Sequence, residues 1–148
     1  MNDSNEQQGP IAVYGATGYT GRLIAAELDR AGVEFRLAGR SQEKLDRLAG
    51  DLDGPVEVFA VSLDDQRGLR ELLADCSAVI ACAGPFHLYG EPVMSAAVDT
   101  ATHYLDTTGE QPFMRLAWEK YDRPAREAGV AVIPGMGFDY VPGDMIAA

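Results

Sequence analysis

Six short apolar runs punctuate the chain: Ile11–Tyr14, Phe35–Ala38, Val56–Val61, Ala78–Cys82, Tyr104–Leu105 and Val130–Ile133. Each has strand length. The stretches between them repeat apolar residues at three and four positions, the period of a helix with one buried face. Leu23, Ile24, Leu28 and Ala31 predict one such face, Leu69, Leu72 and Leu73 a second, and Phe113, Leu116 and Ala117 a third. Trp118 and Tyr121 lie at helical spacing and read as packing residues. Strands alternating with helices through short connections predict an α/β domain whose parallel sheet is covered on both faces.

Turn chemistry agrees. Gly32 follows the first predicted helix as its C-cap. Ser41 caps the second helix and Asp64 the third, and Pro112 suits a first helical turn. Pro124 does not suit a helix interior, so a break is expected near Asp122, which can cap a new short turn. Strands one and four carry no charge, as central strands should. Glu34, Arg36 and Glu57 flank or interrupt strands two and three, which places those nearer an edge. The pattern fits a doubly wound, Rossmann-like sheet of order 3-2-1-4-5-6. Val130–Ile133 would then be an apolar edge, and such an edge needs cover: another strand, a second domain or a dimer partner.

Composition narrows the class. The 148 residues are 47% hydrophobic and 24% charged, an ordinary globular domain. The net charge of −11, from 23 acids against 12 bases, repels nucleic acid and anionic lipid. A small anion can still bind, because backbone amides act locally. No uncharged apolar run approaches the ~20 residues of a membrane span. Residues 1–9 are polar, lack the features of a signal peptide and read as a short frayed tail. Cys76 and Cys82 have neither metal nor redox spacing and read as reduced thiols of a cytoplasmic protein. Two histidines and two cysteines, widely scattered, argue against a zinc site.

The clearest chemical signal is Gly15-Ala16-Thr17-Gly18-Tyr19-Thr20-Gly21, placed between the first strand and the first helix. Gly15 permits the turn out of the strand. Gly18 lets amides approach a pyrophosphate, and Gly21 lets the helix pack close to the sheet. The phosphates then meet the free amides and positive dipole of the helix start, with the Thr17 and Thr20 hydroxyls beside them. Enzymes that use NAD place an acid at the end of the second strand to hold the ribose 2′-OH. Here that strand ends Ala38-Gly39-Arg40-Ser41, with no acid. Arg40 can fork onto a 2′-phosphate and Ser41 can add hydrogen bonds, so the cofactor reads as NADP. Asp64 either accepts from the adenine amino group or caps the helix that follows. The loop Ala83-Gly84-Pro85 after strand four should pass close to the nicotinamide ribose.

Catalytic groups are harder to place. The short-chain dehydrogenase pattern Tyr-x-x-x-Lys is absent, since Arg40 and Leu116 stand four residues before the two lysines, Lys44 and Lys120. There is no Gly-x-Ser-x-Gly or His-Glu-x-x-His. The acid–base candidates are His87, Tyr89, Asp106, Asp139 and Tyr140, and none is assigned as catalytic.

With these residues in place, the chain resembles the N-terminal NADP-binding domain of the saccharopine dehydrogenase-like family, which includes saccharopine reductases and trans-acting enoyl reductases. The likeness is carried by GATGYTG at Gly15–Gly21, LAGRS at Leu37–Ser41 with Lys44-Leu45 after it, AGPFHLYGEP at Ala83–Pro92, HYLDTTGE at His103–Glu110 and GMGFDYVPGD at Gly135–Asp144. It covers nearly the whole chain past the polar start. The resemblance implies an NADP-dependent oxidoreductase acting on a small molecule, with Gly15–Gly21, Arg40, Ser41 and Ala83–Pro85 lining the cofactor. The enoyl reductase-like members tend to read Gly-Phe-Asp-Ser where this chain has Gly137-Phe138-Asp139-Tyr140, so that substrate is not carried over. In the family a second domain follows and shapes the substrate pocket. The resemblance implies a dinucleotide-binding domain over 10–140, a truncated connection starting over 141–148, and a second domain absent from this chain. Alone, such a chain would bind cofactor without turnover. The alternative is a non-catalytic module that senses NADP. The apolar edge near Val130–Ile133 also suggests a homodimer.

Overall fold

The six apolar runs become six parallel strands in the computed structural model of the chain, which describes residues 9–147: β1 (Ile11–Tyr14), β2 (Phe35–Gly39), β3 (Glu57–Ala60), β4 (Ala78–Ala81), β5 (His103–Asp106) and β6 (Val132–Ile133). They form one sheet of order β3-β2-β1-β4-β5-β6. The expected frayed tail falls, up to Gln8, outside the described residues, while the carbonyl of Gly9 accepts from the Ser77 hydroxyl at 2.7 Å. The helices that follow the strands are α1 (Tyr19–Arg30), α2 (Gln42–Gly50), α3 (Gln66–Leu73), α4 (Phe86–Asp99), α5 (Gln111–Leu116), α6 (Asp122–Ala128) and α7 (Tyr140–Ala147).

Alternation along the strands divides the core in two. Val13 and Leu37 face α1 and α2, packing with Ala25, Leu45 and Leu48. Ala12, Tyr14 and Ala38 face the other way, toward Leu69, Leu72, Val93, Met94 and Phe113. The first predicted helical face needs correction. Gly21 and Ala25 are buried and Ile24 and Leu28 half-buried, but Leu23 and Ala31 are exposed. Gly21 decides this, because its missing side chain is what lets α1 approach the sheet. Gly32 takes φ +66° just past the helix, and the Val33 amide returns to the Leu28 carbonyl. Trp118 is also corrected: it is 69% exposed, while Tyr121 is buried.

Two other expectations change for local reasons. Asp65, not Asp64, caps α3, its carboxylate accepting from the Gly68 amide at 2.8 Å. No break occurs near Asp122. Instead a π-helical turn over Ala117–Tyr121 joins α5 to α6, which shifts the hydrogen-bond ladder so that Pro124 falls in a first turn. As its charge predicts, β2 lies nearer an edge than β1 and β4, one strand in and flanked by β1 and β3. Arg36 is tolerated there because Glu57 (2.7 Å), the Leu72 carbonyl (3.0 Å) and both oxygens of Asp75 take its guanidinium, which also lies over the Phe59 ring. β3 and β6 are the edges, as expected. β6 is only two residues long, with Ile133 40% exposed and no strand beyond it among the described residues.

Candidate cofactor site

Register brings the site together. Tyr14 sits level with Ala38 on one side and Ala81 on the other, so the chain leaves β1, β2 and β4 at one height. Cross-bonds hold these exits: the Gly15 amide donates to the Ala38 carbonyl at 2.9 Å, and the Cys82 amide to the Tyr14 carbonyl at 2.8 Å. Between β1 and β4 the connections diverge to opposite ends of the sheet, which is where doubly wound sheets open a crevice. A cleft of about 260 Å³ lies there, lined by Tyr14, Gly15, Thr17, Gly18, Gly39, Arg40, Leu63, Cys82, Ala83, Gly84 and Tyr89.

The glycine loop is shaped by close backbone approach. Gly15 has φ +81°, and a Cβ there would sit 2.9 Å from the Ala83 amide nitrogen. A Cβ on Gly21 would come within 2.4 Å of the Gly15 carbonyl oxygen, so this residue seats α1 on the loop. Gly18 precedes α1 in extended conformation with no side chain capping the helix, and its missing Cβ leaves the approach to the helix start clear. The first α1 amide to turn back is that of Arg22, donating to the Gly18 carbonyl; the amides of Tyr19, Thr20 and Gly21 ahead of it find no acceptor among the described residues. A helix start bare of both capping side chain and Cβ fits the diphosphate of a dinucleotide.

At the end of β2, Arg40 is exposed and Ser41 is engaged as the α2 cap, accepting from the Lys44 amide. Burial pushes the Tyr14 phenol up; the Arg40 guanidinium opposes that and the Asp64 carboxylate adds to it. The phenol donates to the Val61 carbonyl at 3.1 Å, tying the end of β1 to that of β3.

Across the cleft, the polar groups satisfy one another. Glu110 reaches back to the start of α4, accepting from the Phe86 amide at 2.7 Å and the His87 amide at 2.9 Å, and it also meets the His87 ring nitrogen Nδ1. The His87 amide, more than any other group, holds the Glu110 carboxyl below its usual range. Asp106, at the end of β5, is fully buried. Its carboxylate accepts from the amides of Thr108 (2.8 Å) and Gly135 (3.0 Å) and from the Tyr104 hydroxyl (2.8 Å). Burial still raises its pKa against those donors. Asp106 is therefore a loop anchor. The Cys82 thiol, on the cleft wall, is pushed up to about 12 by burial, so it stays protonated and uncharged.

Of the residues expected at the cofactor, Gly15, Thr17, Gly18, Arg40, Ala83 and Gly84 line the cleft. Tyr19 and Thr20 are exposed on the first turn of α1, Gly21 packs inward, and Ser41, Asp64 and Pro85 stand exposed or half-exposed outside the lining. Ala16 is fully buried under α1, so only its backbone could reach a ligand. Sequence reasoning missed Tyr14, Gly39, Leu63 and Cys82 as lining residues. All four are the last residue of a strand or lie within three residues after it, and that position was the available signal. Of the acid–base candidates only Tyr89 lines the cleft. Asp139 and Tyr140 lie with α7, where the Tyr140 hydroxyl donates to the Gly109 carbonyl at 3.3 Å.

Residues 11–133 match the family described as the saccharopine dehydrogenase NADP binding domain. A saccharopine dehydrogenase-like oxidoreductase of Bos taurus is 34% identical over 94% of this chain and 37% of its own length. A lipid droplet localized protein of Caenorhabditis elegans is 33% identical over 91% of this chain and 34% of its own. The chain thus spans about a third of the length of the curated relatives it matches. Among solved structures, the apo saccharopine dehydrogenase (L-Glu forming) of Saccharomyces cerevisiae superposes with a TM-score of 0.78 at 18% identity, over 94% of this chain and 29% of that one, a likeness of fold.

Proposed function

The chain belongs to the saccharopine dehydrogenase NADP-binding domain family, and from that premise we propose that it is the NADP(H)-holding part of an oxidoreductase that moves hydride to or from a small molecule. One observation carries the reading: the glycine loop and the bare start of α1 open onto the same cleft as an Arg40 that no carboxylate pairs with among the described residues. In this proposal Thr17, Gly18 and the leading α1 amides hold the diphosphate. Arg40, with Ser41, holds the 2′-phosphate, Asp64 stands near the adenine, and Ala83, Gly84 and Pro85 lie along the nicotinamide ribose. NADPH, when bound, supplies the hydride. The protein's own contribution is to fix the ring at the β4 exit and to keep that wall uncharged, which the protonated Cys82 thiol supports.

We place this activity in the cytoplasm, a setting in keeping with two free cysteines. No helix among the described residues is long and apolar enough to cross a membrane. Residues 10–140 are in this reading the cofactor domain and 141–148 a connection to a substrate domain, without which the chain does not turn over. The threefold greater length of the relatives supports that, as do the exposed Phe138, Met145 and Ile146 around α7. Pairing of two copies through the edge near Val130–Ile133 is the other use of that surface.

The test is titration with NADPH and NADH. Wild type should prefer NADPH, and Arg40→Ala should lose about tenfold in NADPH affinity while leaving NADH unchanged. Equal wild-type affinity for both cofactors would refute the assignment to NADP. Robust turnover by the 148 residues alone would refute the need for a further domain.

A further inference from the structure

The charge census of the molecule is uneven. Of twelve lysines and arginines, nine are paired with carboxylates: Arg30, Arg36, Arg47, Arg67, Arg70, Arg115, Lys120, Arg123 and Arg126. The remaining three, Arg22, Arg40 and Lys44, have no carboxylate partner among the described residues, in a chain with 23 acids to offer. All three belong to the loops and first helical turns that follow β1 and β2.

Arg22 is the informative one. It stands in the opening turn of α1, where the helix dipole is positive and an acid would be favoured; that turn holds no acid. The helix starts around it are managed differently. Ser41 caps α2, Asp65 caps α3, and Glu110 takes the leading amides of α4. At α1 the dipole, the bare amides and a guanidinium are stacked with the same sign. Unliganded, that arrangement is unfavourable. The Arg22 side chain is not loose, however: its Nε donates to the Thr17 carbonyl at 3.1 Å. That bond draws the guanidinium back over the glycine loop, to a residue that lines the cleft, and it occupies a carbonyl that would repel an anion. The two terminal nitrogens have no partner among the described residues.

We propose that Arg22 is a ligand of the cofactor's bridging diphosphate, held in place by the Thr17 carbonyl. This rests on the NADP reading above and extends it to a residue outside the glycine motif. Arg22 then serves the part of the molecule that NADPH and NADH share, whereas Arg40 serves the 2′-phosphate that only NADPH carries.

The experiment measures binding of NADPH and of adenosine 2′-monophosphate, which lacks the diphosphate, at fixed ionic strength, to wild type, Arg22→Gln and Arg40→Ala. Arg22→Gln should weaken NADPH about tenfold, the scale of one charge-assisted bond, and leave adenosine 2′-monophosphate unchanged. Its unliganded Tm should equal or exceed that of wild type. Arg40→Ala should weaken both ligands. Unchanged NADPH affinity in Arg22→Gln, or an equal loss for the two ligands, overturns the assignment while the NADP reading stands. Failure of wild type to bind NADPH overturns both.

Discussion

The two sides of the cleft treat their polar groups in opposite ways. On the β1–β2 side, amides at the start of α1 lack acceptors and three cations lack counter-ions among the described residues. On the β4–β5 side, Asp106 and Glu110 are consumed by the protein's own donors, and among the described residues no buried side-chain polar atom lacks a partner. The fold does not require bare amides, since α2, α3 and α4 show it can cap a helix from within or from another loop. The difference marks which side is built for itself and which for a charged guest. A buried donor left without an acceptor costs about 1–3 kcal/mol, so an edge exposed to solvent and ligand is where such groups can be tolerated.

The contrast can be broken with one methyl group. Gly21→Ala puts a Cβ against the backbone of Gly15 and Ala16, at 2.4 and 2.7 Å, where nothing can yield without lifting α1. We expect a loss of about 3 kcal/mol in urea unfolding. The same methyl at Gly18 meets only the Gly15 carbonyl oxygen at 3.3 Å. It should cost under about 1 kcal/mol yet weaken NADPH about tenfold, because it stands where the diphosphate would approach. Equal instability of the two variants would erase the distinction between packing glycine and binding glycine.

Asp106 sharpens the other side. Asp106→Ala strips acceptors from two buried amides and should cost about 2 kcal/mol, with little change in NADPH affinity per folded molecule. Asp106→Asn keeps both amide bonds on Oδ1 and can donate to the Tyr104 oxygen, so it should fold nearly as well. Burial raises the Asp106 pKa in the folded state. Wild type is therefore favoured relative to Asn below the ordinary carboxylate range, and that advantage is lost as pH rises through the raised folded value. A difference that grows with pH would contradict this.

Glu110 gives the smallest effect. Its carboxyl is held low by the amides it caps, so its contribution is present above the usual glutamate range and is lost as pH falls through the lowered value. Glu110→Ala should speed amide exchange at Phe86 and His87 at neutral pH and lower Tm less than Asp106→Ala does. Unchanged exchange would mean that α4 needs no cap.

Much of this was legible in the chain. The strands, their order and the glycine loop follow from local rules: apolar runs of strand length, turn residues, and glycines spaced for a strand-to-helix turn. The failures share a cause. The spacing of Leu23 fits a buried helix face, but the face is set by how closely Gly21 seats α1. The spacing of Trp118 fits a packed helix face in the same way, yet a π-helical turn rotates the chain there. The charge of Arg36 places β2 near an edge, as found, but the acceptors that let it sit there lie at Glu57 and Asp75, 21 and 39 residues away along the chain.

The sequence by itself determined the alternation of elements, the parallel sheet and the absence of an acid after β2, because each depends on residues close together in the chain. Only the tertiary structure decided which cations are left unpaired, that Glu110 caps a helix 24 residues before it, and that Asp106 ties β5 to the loop at Gly135. Those are matters of distance through space. Charge and hydrogen bonding act between whatever groups folding brings within a few ångströms, and separation along the chain does not record that.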